Sequence, residues 1–197
     1  MARPREFNRQ AALKIAMDLF WKHGYEGVSI AELTTAMKIA PPSLYAAFGS
    51  KAELYKEAID AYQSRPGALS LAALDATGDL RAKLSELLHS AAKTATETSP
   101  PMGCMVMNGM LASSLDNQTL TEITTGLRMN LIEALQKRFE RAVANGELTT
   151  DVKPDVAARY FAAIVQGISV QAHDGAALPE LAALIELALS ALIPPKD

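Results

Sequence analysis

The stretch SIAELTTAMKIAPPSLYAAFG, residues 29–49, decides the fold of this chain. Ser29 and the glutamate three residues later match a capping box, in which the serine oxygen and the glutamate carboxylate satisfy free amides at a helix start. This pattern predicts a short helix through about Met37. Pro41 and Pro42 are tolerated in a first helical turn, because amides there have no intrahelical acceptor. A second short helix is therefore expected before the closing glycine.

Two short helices joined by a tight turn form a helix-turn-helix, here over about residues 29–48. Leu44 and Phe48 are four residues apart, so both face inward. Because the major groove admits one helix, whose N-terminal residues meet the base edges, the remaining positions are candidates for contact with DNA. Their small side chains suit thymine methyl groups, and two hydroxyls suit phosphates. These positions are Ala40, Pro41, Pro42, Ser43 and Tyr45, and Ser29 at the start of the motif is a further candidate.

Basic side chains near this motif provide further candidate contacts with a polyanion. A second capping box at Ser50 predicts a helix through about residue 63, and Lys51 in its first turn lies beside free amides, an arrangement that suits a phosphate anchor. Arg3 and Arg5 lie in an N-terminal segment with few acidic residues. The sequence leaves two interpretations of that segment open, an arm that contacts DNA and a solvated arm.

The runs GYEGVSI at residues 24–30 and PSLYAAFGSK at residues 42–51 resemble the TetR (tetracycline-repressor-type) family of transcription regulators. The resemblance implies a recognition helix that carries Ser43 and Tyr45, with Lys51 on the DNA backbone. It also implies a homodimeric repressor that binds double-stranded operator DNA and is released by a small-molecule effector, still unknown. Two positions depart from the family pattern. Lys38 stands where the turn often has glycine, and Ala40 where serine or threonine commonly caps the recognition helix.

The sequence predicts an all-α fold of two domains. Residues 1–63 are expected to form a three-helix DNA-binding domain, including the helix-turn-helix, together with the helix that follows. Residues 64–197 are expected to form a helical domain for effector binding and dimerisation. Longer helical patterns occupy about residues 80–98, 102–115, 118–144, 154–172 and 179–193.

The last two of these helices are expected to form the dimer interface, because family members dimerise through a four-helix bundle made by their last two helices. Some apolar positions there must face the protomer's own core, and the sequence does not sort them. The interface candidates are Ile164, Ile168, Leu184, Ala188 and Leu192.

Residues 101–110 form the most unusual segment, with four methionines that provide adaptable apolar surface. One interpretation is a wall of an effector pocket, and the other is ordinary core filling. The candidate effector contacts are Cys104, Met107, Asn108, Met110, Leu111 and Gln166.

Cys104 is the only cysteine, so the chain forms no internal disulfide and a reducing, cytoplasmic location is expected. A helix N-terminus lowers a thiol pKa, and the family resemblance adds a precedent for sensing of electrophiles or oxidants. A buried cysteine that acts as a small apolar side chain is the alternative, and the neighbouring methionines favour it.

Other function classes find little support. The net charge is −3 at pH 7, and charged residues make up 21% of the chain, so it is neither wholly basic nor disordered. There is no phosphate-binding glycine loop, no nucleophile elbow and no metal-ligand spacing among the three histidines. We therefore expect no enzyme activity, cofactor or metal, and no membrane span. A helical protein-interaction module without DNA binding remains the alternative of another class.

Overall fold

The computed structural model describes residues 8–65, 68–75, 78–97, 101–111 and 113–192. Within these ranges all regular secondary structure is helical, which confirms the predicted all-α class. The four N-terminal helices are α1 (Arg9–His23), α2 (Ile30–Met37), α3 (Pro41–Phe48) and α4 (Lys51–Ser64).

Local hydrogen bonds set where these helices begin. The side chains of Asn8 and Ser50 each accept from an amide three residues later, at 3.0 and 3.1 Å. Ser29 and Glu32 form the complete predicted capping box. Lys38 ends α2 in the left-handed conformation, with φ at 57°, as its place in a position that often has glycine suggested.

The remaining helices are longer on average and pack around a second core. They are α5 (Ala72–Asp75), α6 (Leu80–Thr96), α7 (Met105–Asn108), α8 (Gln118–Ala144), α9 (Pro154–His173) and α10 (Leu178–Leu192), with a 3₁₀ turn at Leu115–Asn117. α9 packs against α8, α6 and α10. Phe139 of α8 and Phe161 of α9 meet at the centre, with ring centroids 5.6 Å apart.

The predicted helix over residues 102–115 is wrong, because among the described residues of that range only Met105–Asn108 is α-helical, and Leu115 begins the separate 3₁₀ turn. Gly109 leaves the helix with extended backbone, and Met110 takes a left-handed conformation with φ at 53°. Arg128 of α8 donates to the carbonyl oxygens of Val106 and Gly109, both at 2.9 Å. A tertiary contact thus satisfies carbonyls that a longer helix would have bonded internally.

The short helix α7 contributes to both cores. Met105, Val106 and Met110 are buried with α1–α4, whereas Met107 is buried with the C-terminal helices. Cys104, half-buried, packs against both sets. Hydrophobic packing therefore runs continuously from the helix-turn-helix into the C-terminal bundle through this segment, and also through α8, whose Leu120 is buried with α1–α4 and whose Leu131 is buried with the C-terminal helices.

Candidate nucleic-acid interface and internal cavity

The helix α3 presents its N-terminal end to solvent. Leu44 and Phe48 are 0% and 4% exposed, so the predicted inward face is correct. Ala40 occupies the N-cap position without a side-chain hydrogen bond, and the first two helical residues are proline. The exposed positions of this end are Ala40, Pro41, Pro42, Ser43, Tyr45 and Ala46. Small side chains and one 47%-exposed tyrosine thus form the outer surface of the helix.

The hydroxyl of Ser29 acts as a helix cap. It accepts from the Glu32 amide at 3.1 Å and donates to the Glu32 carboxylate at 2.7 Å. The same carboxylate accepts from the Ser29 amide at 2.7 Å, and these bonds lower the pKa of Glu32 below its ordinary value. A DNA contact from Ser29 would have to share a hydroxyl that is already bonded.

Lys51, the first residue of α4, folds back against the N-terminal core. Its ammonium lies 4.1 Å from the centroid of the Tyr25 ring, a cation–π arrangement. Partial burial lowers the pKa of Lys51, and the nearby carboxylates of Glu26 and Glu32 oppose that change. The ammonium is therefore held in a defined place at the start of α4.

Arg9 is a positioning residue that local sequence patterns did not reveal. Its guanidinium donates to the Ala47 carbonyl at 3.2 Å and pairs with Glu57 at 2.7 Å. It also lies 4.6 Å from the centroid of the Phe48 ring. Arg9 thereby ties α1 to the end of α3 and to α4, which fixes the direction of the exposed helix. The other two predicted arginines, Arg3 and Arg5, lie outside the described residues.

A cavity of about 160 Å³ lies among α4, α7, α8 and the segment that follows α4. A smaller one of about 20 Å³ adjoins it toward α6 and α9. Both are bounded by Tyr62, Leu69, Cys104 and Met107. The structure thus places two of the predicted effector contacts, Cys104 and Met107, on the wall between two spaces.

A chain of hydrogen bonds holds this wall. The Tyr62 hydroxyl donates to the Cys104 sulfur at 3.2 Å, and the Cys104 amide donates to the Ser169 hydroxyl at 2.8 Å. Ser169 donates in turn to the Asn108 side-chain carbonyl at 3.1 Å. Burial, together with the neighbouring thiol, raises the pKa of Tyr62, so this phenol is neutral near neutral pH. Asn108 thus supports the wall from behind without lining either cavity.

Three other effector predictions do not match this cavity. Met110 is buried in the N-terminal core because its left-handed backbone turns the chain in that direction. Leu111 is 68% exposed, and the half-buried Gln166 is not among the wall residues. For Met110 and Leu111 the cause is the early end of α7, which removes the helical face that these two predictions assumed.

Two of the five interface predictions are wrong, because the side chains are already buried within one protomer. Ile168 and Ala188 are 0% and 2% exposed within a single protomer, so their side chains serve its own core. Ile164, Leu184 and Leu192 are half-buried, and their role stays a prediction.

An exposed apolar stripe runs along α9 instead. It is formed by Val156, Tyr160, Ala163 and Val170, with the half-buried Gly167 on the same face. On α10, Leu187 is 70% exposed. A Cβ built on Gly167 would meet no described atom within 4 Å, so packing within the protomer does not require glycine there.

Comparison with known proteins agrees with this architecture. The family model for bacterial regulatory proteins of the tetR family matches residues 12–58, and the model for tetracyclin repressor-like C-terminal domains matches residues 74–186. The chain belongs to the TetR family. It is therefore a helix-turn-helix, DNA-binding transcriptional regulator, as the resemblance implied, and its family consists of regulators rather than enzymes.

Individual relatives of this TetR-family chain are repressors. It is 32% identical to the HTH-type transcriptional repressor ComR of Escherichia coli (strain K12), over 91% of this chain and 86% of ComR. It is 28% identical to the HTH-type transcriptional repressor BdcR of the same strain, over 96% of this chain and 91% of BdcR.

A solved structure of a cysteine-substituted TetR family regulator, CifR, was determined with 26-bp double-strand operator DNA. It is 39% identical, with a TM-score of 0.86 over 96% of this chain and 99% of that one. Separately, the helices of the described part of this TetR-family chain include none that is both long and apolar enough to cross a bilayer.

Proposed function

We propose that this chain is a homodimeric repressor that binds a two-fold symmetric operator through α3 and leaves it when a small molecule fills the cavity beside α7. The observation that carries the proposal is the position of α7. Its residues pack into the core of the DNA-binding helices and also line the cavity. A ligand in the cavity therefore acts on a segment that the DNA-binding helices α1–α4 also contact.

Recognition of DNA by α3 would rest mainly on shape and methyl contacts. None of the eight residues of α3 has a charged or amide side chain of the type that makes bidentate bonds to bases. Pro42, Ser43 and Ala46 allow the helix to approach closely, and thymine methyls suit such a surface. Tyr45 and Lys51 would contact phosphates, while Arg3 and Arg5 remain predicted arm contacts.

Operator binding can be tested with matched variants. Tyr45→Ala and Lys51→Ala should each weaken binding to all sequences, and loss of one phosphate contact should reduce the salt slope by about one. Tyr45→Phe separates the effect of the hydroxyl from that of the ring, and Lys93→Ala, at an exposed position of α6, is the charge control. Selection from random duplex DNA, followed by binding from 50 to 200 mM salt, measures these effects. Enrichment of no symmetric site would favour the interaction-module alternative.

Dimerisation is proposed to use the exposed stripe on α9 with α10. Val156, Tyr160 and Val170 would bury apolar surface, and Gly167 would permit close approach of a second backbone. A two-fold axis brings the same stripe together from both copies, so one unfavourable change counts twice.

The interface is tested by placing a charge in the stripe. Gly167→Glu and Leu187→Glu should shift the protein from dimer to monomer in sedimentation at micromolar concentration, while helical content stays unchanged. Leu115→Glu is the matched control, because that leucine is 93% exposed and lies away from α9 and α10. Wild-type protein that sediments as a monomer would contradict the proposed geometry, since one copy reads only one half-site.

A polar link gives the effector site a second route to the DNA-binding helices. The Glu26 carboxylate, in the loop between α1 and α2, accepts from the Ser114 amide at 3.0 Å and from the Asn117 side chain at 2.7 Å. Both donors lie just before α8, which lines the cavity farther along. These bonds hold the pKa of Glu26 below its ordinary value. Movement of α8 would thus pull directly on the start of the helix-turn-helix.

The second candidate mechanism is thiol modification at Cys104. The observation that favours it is the position of the sulfur on the cavity wall, where a reactive molecule entering the cavity would meet it. The Tyr62 hydroxyl bonds to that sulfur, so an adduct would also break the wall.

The two mechanisms differ in what a thiol reagent does. If Cys104 is the sensor, iodoacetamide should label native protein within minutes at pH 7 and release the operator, and Cys104→Ser should keep repressing under oxidant. If it is a packing residue, labelling should require unfolding, and Cys104→Ala should lower stability without altering induction. We favour the packing outcome, because the thiol is packed against both cores.

A further inference from the structure

The cavity beside α7 has a size that limits what can enter it. Its volume is about 160 Å³, and its apolar walls include Leu69, Leu71, Met107, Leu127 and Leu131. An apolar protein cavity of about 150 Å³ holds benzene, whereas drug-sized ligands take roughly 300–1,000 Å³. The space therefore suits a compact molecule of about six to ten non-hydrogen atoms.

Among the described residues that line the wall, none has a side chain that is charged near neutral pH. Its polar members are Tyr62, Gln63, Cys104 and Asn130, and a charged ligand would lose hydration there without an opposite charge on the wall itself. The nearby cation, Arg65, is not one of these wall residues; it hydrogen-bonds to Tyr62, and its guanidinium lies 4.6 Å from the Trp21 ring centroid and 4.4 Å from that of Tyr62. The wall thus favours a neutral molecule.

The polar groups of the cavity differ between its two ends: one end opens to solvent, and the other offers a single hydroxyl as a hydrogen-bond donor. Gln63 and Asn130 are exposed, so the cavity opens to solvent beside them. Deeper in, the buried Tyr62 hydroxyl accepts from Arg65 and donates to the Cys104 sulfur, which is a weak acceptor. A ligand oxygen would be a better acceptor, and the exchange would cost little.

We propose that the effector of this protein is a small, uncharged, mostly apolar molecule with one oxygen that accepts a hydrogen bond from Tyr62. The inference rests on the proposed effector role of the cavity and gives that role a ligand class. Because Tyr62 and Cys104 form the wall to the 20 Å³ space, a ligand that takes the hydroxyl away from the sulfur also loosens that wall.

The test compares four probes on the full chain by calorimetry and thermal shift. Benzyl alcohol is neutral and has one acceptor, toluene lacks the acceptor, benzoate carries a charge, and 9-anthracenemethanol is too large. Benzyl alcohol should bind about 2- to 10-fold more tightly than toluene, as expected for one hydrogen bond. Benzoate should bind at least 10-fold more weakly than benzyl alcohol, and 9-anthracenemethanol should not bind.

Variants locate the binding. Tyr62→Phe should remove the preference for benzyl alcohol while toluene still binds, and Tyr55→Phe, a buried tyrosine outside the wall, should retain the preference. Ala68→Phe should block both probes by filling the cavity, with folding checked by circular dichroism. Tighter binding of benzoate than of benzyl alcohol, lost in Arg65→Gln, would overturn the neutral class in favour of an anion. Binding that survives Ala68→Phe, or no neutral probe binding at all, would also overturn it.

Parallel operator measurements separate this inference from the proposed function. Tight operator binding without any probe binding would reject the ligand class and leave DNA recognition standing. Probe binding in the cavity that leaves operator affinity unchanged would reject effector release while the ligand class stands.

Discussion

The DNA-binding helices and the C-terminal bundle are held together by different kinds of polar contact. In the first, Asn8, Ser29 and Ser50 bond to amides three residues away. In the second, bonds join distant parts of the chain, such as the Cys104 amide to Ser169 and Arg81 to Glu186. Both regions have exceptions. Arg9 ties α1 to α3 and α4, Glu26 accepts from Ser114 and Asn117, and Asp79 caps α6 by accepting from the Ala82 amide.

The contrast indicates which part of the molecule is adaptable. Helices α1, α2 and α4 carry their own caps and keep their ends when neighbours move, whereas α3 has no side-chain cap and is held by Arg9 instead. The DNA-contacting surface therefore behaves as a preformed unit. Helices that depend on cross-ties, meaning hydrogen bonds between residues far apart in the chain, change their relative positions when such a bond is lost. A ligand-responsive site is expected in the second kind of region, and the cavity lies beside such ties.

The largest expected effect comes from cutting the most buried cross-tie. Arg138 is 3% exposed, pairs with Glu147 at 2.7 Å and donates to the Gly78 carbonyl at 2.9 Å. Removal of one member of a buried pair typically costs about 3–5 kcal/mol. Arg138→Ala should therefore lower the free energy of unfolding by about that amount in urea titration. Lys137→Ala, which changes the preceding residue and removes its exposed ion pair with Glu133, should lower the free energy of unfolding by less than about 1 kcal/mol. Equal losses would contradict the contrast.

The same tie should make stability depend on pH. Hydrogen bonding by Arg138 lowers the pKa of Glu147 below its ordinary 4.5. A carboxyl with a lowered folded pKa stabilises the fold above its unfolded pKa, and this contribution is lost as pH falls through the folded pKa. Wild type should therefore lose more stability from pH 7 into the acid range below 4.5 than Glu147→Gln does. The measurement is urea unfolding at both pH values, and parallel curves would reject the assignment.

Cap removal should have a smaller and strictly local effect. Ser29→Ala deletes a hydroxyl that makes two hydrogen bonds of a complete capping box, whereas Ser50→Ala deletes one bond. We expect a loss of about 1–2 kcal/mol for the first and about 0.5–1 kcal/mol for the second. Amide hydrogen exchange should show faster exchange confined to the start of α2 or α4. Spread of the effect into α8 or α9 would show that the two regions are less separate than their contacts indicate.

The smallest effect should be a gain. Lys38 holds a left-handed backbone that glycine adopts without strain, so Lys38→Gly should raise stability by up to about 1 kcal/mol. Lys38→Ala keeps a Cβ and is the control, with no gain expected. Thermal unfolding of both variants would decide, and a gain in the alanine variant would point to the lysine charge rather than to the backbone.

The part of the fold that could be predicted from sequence is the part that local contacts determine. The capping serine at residue 29 and the inward pair Leu44 and Phe48 follow from spacing, and the strained turn at Lys38 follows from the family resemblance. The extent of α7 could not be predicted in either way, because its end depends on Arg128, about twenty residues away in the chain. Apolar spacing around the methionines was compatible with one helical face, whereas the structure divides those residues between two cores.

The same limit applies to the sites. Exposure of the α3 tip follows from a local helical period, so those candidates are correctly on the surface. Ile168 and Ala188 have the apolar character expected of a dimer interface, and equally that of a core position. A helix with apolar residues on several faces gives no local signal of which face its own bundle covers. Arg9 escaped notice because nothing near residue 9 indicates its bond with Glu57.

The divided packing of the methionine segment also bears on modularity. A fragment that ends at residue 63 would lack Met105, Val106, Met110 and Leu120, all buried among its helices. It would expose the faces that those side chains cover, so the DNA-binding helices α1–α4 do not form an independently exchangeable domain. A chimaera that receives the DNA-binding helices of a relative would also need residues 105–120 from that relative. Evolution of new operators and of new effectors in this lineage would then be coupled through the few side chains that both halves share.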